Sequence, residues 1–223
     1  MGILIAVLVA GAIQAGAQDS PETLVRSALG KVARDKAVLQ TLTCDKTEAT
    51  EQLDGNGKPK GPVAVEKEKS YITMSLIKLL KEGRYQYRFE GLAMTGDRMA
   101  IKLGYSPAPS ENQPKPEQKI GEGMIAQGVE DGLNKVLNSL EGNLYLDQET
   151  LGIVRFEAHL PKEVFHVIAW ISITDITYDQ VYAFGIWVPR KVVVDTRVAK
   201  FIKRPRQYRR TTRSFTNYRP KVP

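Results

Sequence analysis

Residues Asn143–Leu160 read NLYLDQETLGIVRFEAHL. The short apolar stretch NLYLD is followed by the turn QETLG. Val154, Phe156, Ala158 and Leu160 then fall on one face of an extended chain, with Arg155, Glu157 and His159 on the other. Alternation this clean across a short turn marks antiparallel strands with one buried and one solvated face. A parallel sheet would show continuous apolar runs joined by helices. The stretch predicts a sheet that has to be covered on one side only.

The same pattern extends in both directions. In Arg84–Phe89 the residues Tyr85, Tyr87 and Phe89 share one face and Arg84, Gln86 and Arg88 the other, and after the turn TGDR the residues Met99, Ile101, Leu103 and Tyr105 share a face. Thr41–Leu53 and Val63–Ile77 read as a hairpin around Asp54-Gly55-Asn56-Gly57. That turn is no calcium loop, because Lys58 stands where an oxygen ligand is needed and Pro59 where glycine is needed. Three or four further strands fit between Glu163 and Tyr218. Two helices are expected. Ser20-Pro21-Glu22 is a helix start, with Ser20 as N-cap, and Leu24, Val25, Ala28, Leu29, Val32 and Leu39 follow at helical spacing. Ile125, Val129, Leu133, Val136, Leu137 and Leu140 form a second stripe after Gly121-Glu122-Gly123-Met124-Ile125-Ala126. Those glycines match a dinucleotide-binding fingerprint, but a loop rich in proline at about 106–120 precedes them where a strand would have to stand. The fold class is α+β: a long, strongly curved antiparallel sheet with an N-terminal helix and a mid-chain helix on its concave side.

Ile3–Ile13 is an apolar run too short to span a bilayer, followed by the cleavage pattern Ala15-Gly16-Ala17, so residues 1–17 read as a secretory signal peptide and 18–223 as a single domain. The net charge is +7, yet Thr196–Pro223 holds ten Lys or Arg and no acid, which leaves the rest of the chain at −3. This basicity is therefore a property of one local surface. Phe201, Tyr208, Phe215 and Tyr218 lie among the cations as they would in a single-stranded nucleic-acid binder, but an exported protein meets little nucleic acid, so no such partner is expected. The alternation of Arg209, Thr211 and Arg213 against Arg210, Thr212 and Ser214 reads as a last strand at the sheet's edge, its cations blocking aggregation. Arg204, Arg206, Arg209, Arg210 and Arg213 are the candidates for contact with an anionic membrane surface.

Chemistry-bearing motifs are scarce. There is one cysteine, Cys44, and there are two histidines, His159 on a polar strand face and His166 in VFHVIAW, a set too sparse for a zinc or nucleophilic centre. Asp175 and Asp179 share a strand face without supporting groups. No G-x-S-x-G, H-E-x-x-H or P-loop occurs. The reading is a non-enzymatic protein without metal or cofactor. The candidate ligand-binding surface is the aromatic inner face: Tyr85, Tyr87, Phe89, Met99, Ile101, Phe156, Trp170 and Trp187.

Taken together, LDGNGK, RYQYRFEGLAMTGDRMAIKLGYSP, G-x-L-Y-L-D-x-E-T at Gly142–Thr150, W-V-P at Trp187–Pro189 and the closing YRRTTRSFTNYR resemble the LolA/RseB-like superfamily, periplasmic proteins related to outer-membrane lipoprotein sorting. The resemblance covers most of Thr41–Arg219. It implies an unclosed β-barrel with helices plugging its concave side, a periplasmic, extracellular or outer-membrane-associated location, and an apolar ligand such as a lipid or the acyl chains of a lipoprotein. The alternative is an envelope sensor or interaction protein that meets anionic lipid or a protein partner through its basic C-terminal surface.

Overall fold

The computed structural model describes residues 19–54, 56, 58–70, 80, 85–109, 139–161, 164–166, 169–200 and 207–221. The expected signal segment, the mid-chain helix after Gly123, most of the Pro-rich loop, and Arg204 and Arg206 lie outside the described residues. Ser106 and Pro107, expected in that loop, instead close a strand.

The first element is helix α1 (Pro21–Gln40). Ser20 caps it, its Oγ accepting from the Thr23 backbone N–H at 3.2 Å, and Pro21 occupies the first turn, where a missing N–H costs nothing. At the other end the Lys221 Nζ donates to the Gln40 carbonyl at 2.5 Å, placing a cation on the negative helix terminus. The strands are β1 (Leu42–Leu53), β2 (Ala64–Ser70), β3 (Tyr85–Thr95), β4 (Arg98–Pro107), β5 (Glu141–Asp147), β6 (Ile153–His159), β7 (Val164–His166), β8 (Ala169–Ala183), β9 (Ile186–Lys200) and β10 (Gln207–Pro220). They form one antiparallel sheet in the order β2-β1-β10-β9-β8-β6-β5-β4-β3, with β7 beside β8. The outer strands β2 and β3 do not pair with each other, so the barrel is unclosed.

The register confirms the two-faced reading of Asn143–Leu160. Leu103, Leu144, Phe156, Tyr178 and Val192 lie opposite one another across β4, β5, β6, β8 and β9, and the first three are fully buried. Onto this row α1 sets Val25, Ala28, Leu29 and Val32. Next to it, on the other face, run Lys102, Tyr145, Arg155, Asp179 and Lys191. Glu157 collects hydrogen bonds there from Asn143, Tyr145 and Arg155 at 3.3, 3.0 and 2.8 Å. Partly solvated pairs of this kind contribute about 0–1 kcal/mol each, so the apolar row, not the polar one, holds the sheet.

One expectation is corrected. Strand β10 is not at an edge but lies between β1 and β9. Three of its arginines meet carboxylates of the neighbouring strand β1 or β9: Arg210 binds Asp195 through two bonds of 2.8 and 2.6 Å, Arg213 binds Glu48 at 2.8 Å and Arg219 binds Asp45 at 2.9 Å.

The two short motifs quoted for the family resemblance meet in space. Asp147 is 1% exposed, and its Oδ1 accepts from the Thr150 N–H at 2.8 Å and the Thr150 hydroxyl at 2.7 Å, while Oδ2 accepts from Arg98 at 3.3 Å. Burial alone would raise the Asp147 pKa, but these bonds outweigh it and hold the carboxyl below its ordinary value. The Trp187 indole N–H donates to the Thr150 Oγ1 at 3.0 Å, and the Arg98 guanidinium lies 5.6 Å from the Trp187 ring. Gly152 makes this contact sterically feasible, since a methyl group there would come within 2.0 Å of the Trp187 Cδ1. The β5–β6 turn is thereby pinned to the β8–β9 hairpin.

Gly152→Ala must displace the indole, and Trp187→Phe removes its hydrogen bond. Each should lower the urea unfolding midpoint by the equivalent of roughly 1–3 kcal/mol at unchanged m-value. An unchanged midpoint in both variants would mean that the pin contributes nothing to stability.

Candidate functional site

The eight inner-face candidates do not form one surface. Tyr105 and Phe156 stack with ring centroids 5.4 Å apart at the centre of the core, where Phe156 is fully buried. Ile101 packs on the rim of that core. Phe89, opposite Leu103 midway along the β3–β4 hairpin, and Met99, near its tip, share the face of Leu103 and Ile101 but are 48% and 41% exposed. Trp187 is committed to the pin beside Thr150. Trp170 belongs to β8, and its side chain is outside the described set.

Tyr85 and Tyr87 are placed differently. Both are half-buried at the start of β3, the strand that ends the sheet, and Tyr85 sets its edge against Tyr105 at 5.0 Å. Their rings and the N-terminal half of α1 bound an open cleft of about 640 Å³, within the range that small-molecule sites occupy. Its floor and walls are Val25, Leu29, Ala33, Leu80, Tyr85, Tyr87 and Ala108, and its polar members are Glu22 and Arg26. Further along α1 the contact is close: the hollow between Val32, Leu39, Ile153 and Tyr178 holds about 20 Å³, room for one water. The cleft therefore lies beside the N-terminal half of α1, at the end of the sheet that β3 forms.

Sequence reasoning identified the tyrosine wall. It identified Val25 and Leu29 only as a stripe with something to cover, and it missed Ala33, Leu80, Ala108 and the rim charges, whose roles depend on where α1 crosses the sheet.

On the basic surface, Arg210 and Arg213 arrive with their counter-charges from Asp195 and Glu48. Arg209 is exposed in β10.

The cleft tyrosines are poor acids. Burial first, and then the Glu22 charge, push the Tyr87 pKa up to about 12 from 10.0, and burial likewise raises that of Tyr85. A raised acid pKa means that the unfolded chain loses the proton first. The folded state is therefore unaffected below about pH 10 and loses stability as the pH climbs through 10 toward 12. Absorbance at 295 nm should show delayed tyrosinate formation, and Tyr87→Phe should shrink that delayed step. Complete ionisation near pH 10 with the fold intact would contradict the burial described for these rings.

No family model matches the chain, and no curated protein matches it. Among solved structures, it is similar to a LolA superfamily protein from Nitrosomonas europaea, with 6% identity over 92% of this chain and 95% of that one at a TM-score of 0.31. It is also similar to a DUF1329 family protein from Desulfovibrio piger, with 10% identity over 89% of this chain and 93% of that one at a TM-score of 0.33.

Proposed function

We propose that this chain is an exported, non-enzymatic binding protein that holds an apolar ligand, the acyl chain of a lipid or lipoprotein, in the cleft between α1 and β3. The observation that carries the reading is the contrast along one concave face. The centre is packed to exclusion around Phe156, while some 640 Å³ stays open beside Tyr85 and Tyr87. Open apolar space of that size leaves Leu29, Ala33 and the two half-buried aromatic rings facing water at a cost of about 25 cal/mol per Å², which a bound chain would recover. Export rests on the Ile3–Ala17 pattern. Contact with anionic membrane through the C-terminal strand is the weaker reading, because ion pairs with Asp195 and Glu48 already offset Arg210 and Arg213.

The test is displacement of a fluorescent polyene fatty acid. Ala33 lines the cleft and is exposed, so Ala33→Trp should fill the space without disturbing the core. The original chain should bind the probe with micromolar affinity or better, and the variant at least about tenfold more weakly, at an unchanged unfolding midpoint. Absence of binding by the original chain, or equal binding by the variant, would remove the proposal.

A further inference from the structure

The rim of the cleft carries a feature that apolar binding alone leaves unexplained. Glu22, Arg26, Gly30 and Arg34 succeed one another at intervals of four along α1 and so form a single row, and the first three line the cleft. Glycine in the middle of a helix costs roughly 1 kcal/mol relative to alanine, so its presence asks for a local reason. Here the Arg34 side chain leans back toward the helix N-terminus, as helical side chains do, and lies over Gly30. A methyl group there would stand 3.6 Å from the Arg34 Nη1. Arg26 lies one turn to the other side of the glycine.

Both arginines are exposed, and among the described residues neither guanidinium makes a hydrogen bond or ion pair. The contrast within the same helix is Lys31, which is paired with Asp35 at 3.3 Å. The only acid in the cleft lining, Glu22, makes no salt bridge with Arg26 and is felt instead at the Tyr87 hydroxyl. Two guanidiniums without a counter-charge among the described residues thus stand at the mouth of an apolar cleft, that of Arg34 lying over Gly30.

We infer that the ligand of this cleft carries an anionic oxygen head group, a carboxylate or a phosphate, held between the Arg26 guanidinium and the Arg34 guanidinium that lies over Gly30. Its chain then runs inward against Leu29, Tyr85 and Tyr87. Guanidinium groups suit such heads because their planar donor fork matches the spacing of two oxygens on carbon or phosphorus. The missing side chain at Gly30 lets the Arg34 guanidinium lie close against the helix, at the rim of the cleft. The inference rests on the acyl-chain reading of the cleft and narrows it to amphiphiles of one charge.

Three probes with the same chain and different heads separate the two claims: hexadecanol, hexadecanoate and hexadecyl phosphate, titrated at low salt into the full chain and into an Arg26→Gln/Arg34→Gln double variant. The original chain should bind at least one of the anionic probes about tenfold more tightly than the alcohol, and in the variant that ratio should fall toward one. Preference for hexadecanoate points to a free fatty acid, and preference for hexadecyl phosphate points to a phospholipid head. If all three probes bind alike, or if the preference survives in a variant whose unfolding midpoint is unchanged, the head-group inference fails while the cleft reading stands. If none binds, the cleft reading fails and takes the inference with it.

Discussion

The Tyr105–Phe156 stack under α1 is the interaction from which the rest of the packing follows. Tyr105 is 1% exposed, so its hydroxyl needs an acceptor inside the protein, and it finds the Glu157 carbonyl at 2.9 Å. Gly142 leaves the way clear, since any side chain there would come within 2.1 Å of that same carbonyl oxygen. With the stack fixed, Tyr85 has one place to go, edge-on to Tyr105, and Tyr87 follows it at the outer strand of the sheet. The two rings that wall the cleft are thus held by the ring that fills the core. A rigid wall of this kind suits binding, because little side-chain freedom remains to be lost when a ligand enters.

Rigidity away from the cleft has a separate origin. Arg98, Asp147, Thr150 and Trp187 come from three hairpins, and their mutual bonds leave both carboxylate oxygens of Asp147 satisfied despite its burial. The motifs Gly142–Thr150 and Trp187–Pro189 are accordingly architectural. Gly142 admits the Tyr105 bond, Asp147 and Thr150 shape the turn, and Trp187 fastens a neighbouring hairpin to it. None of these residues borders the cleft, which explains why a family resemblance carried by them brings no ligand contacts with it.

The alternation of Asn143–Leu160 was enough to read an antiparallel sheet with one buried face, because a period of two is a local property of the chain. Strand order is not local. The alternation of Arg209–Tyr218 is the same whether β10 sits at an edge or between β1 and β9, and the Glu48 that meets Arg213 lies 165 residues earlier. For Trp187 the sequence suggested an inner face, and the ring does line the hollow under Val32 and Leu39 of α1, but its hydrogen bond to Thr150 and the space above Gly152 depend on a neighbouring hairpin that the local pattern does not show. For the cleft, the sequence showed the tyrosines and the helix stripe. The gap between them is set by the crossing of α1 over the sheet, which no pattern within either element encodes.

The central claim is that an apolar chain lies between α1 and β3. It is tested most directly by photo-crosslinking with a hexadecanoic acid bearing a diazirine on its chain, followed by peptide mapping. The account predicts adducts on the α1 segment around Leu29–Ala33 and on β3 around Tyr85–Tyr87. Adducts gathered instead around Met94–Met99 at the exposed hairpin tip, or scattered over the surface without preference, would contradict it.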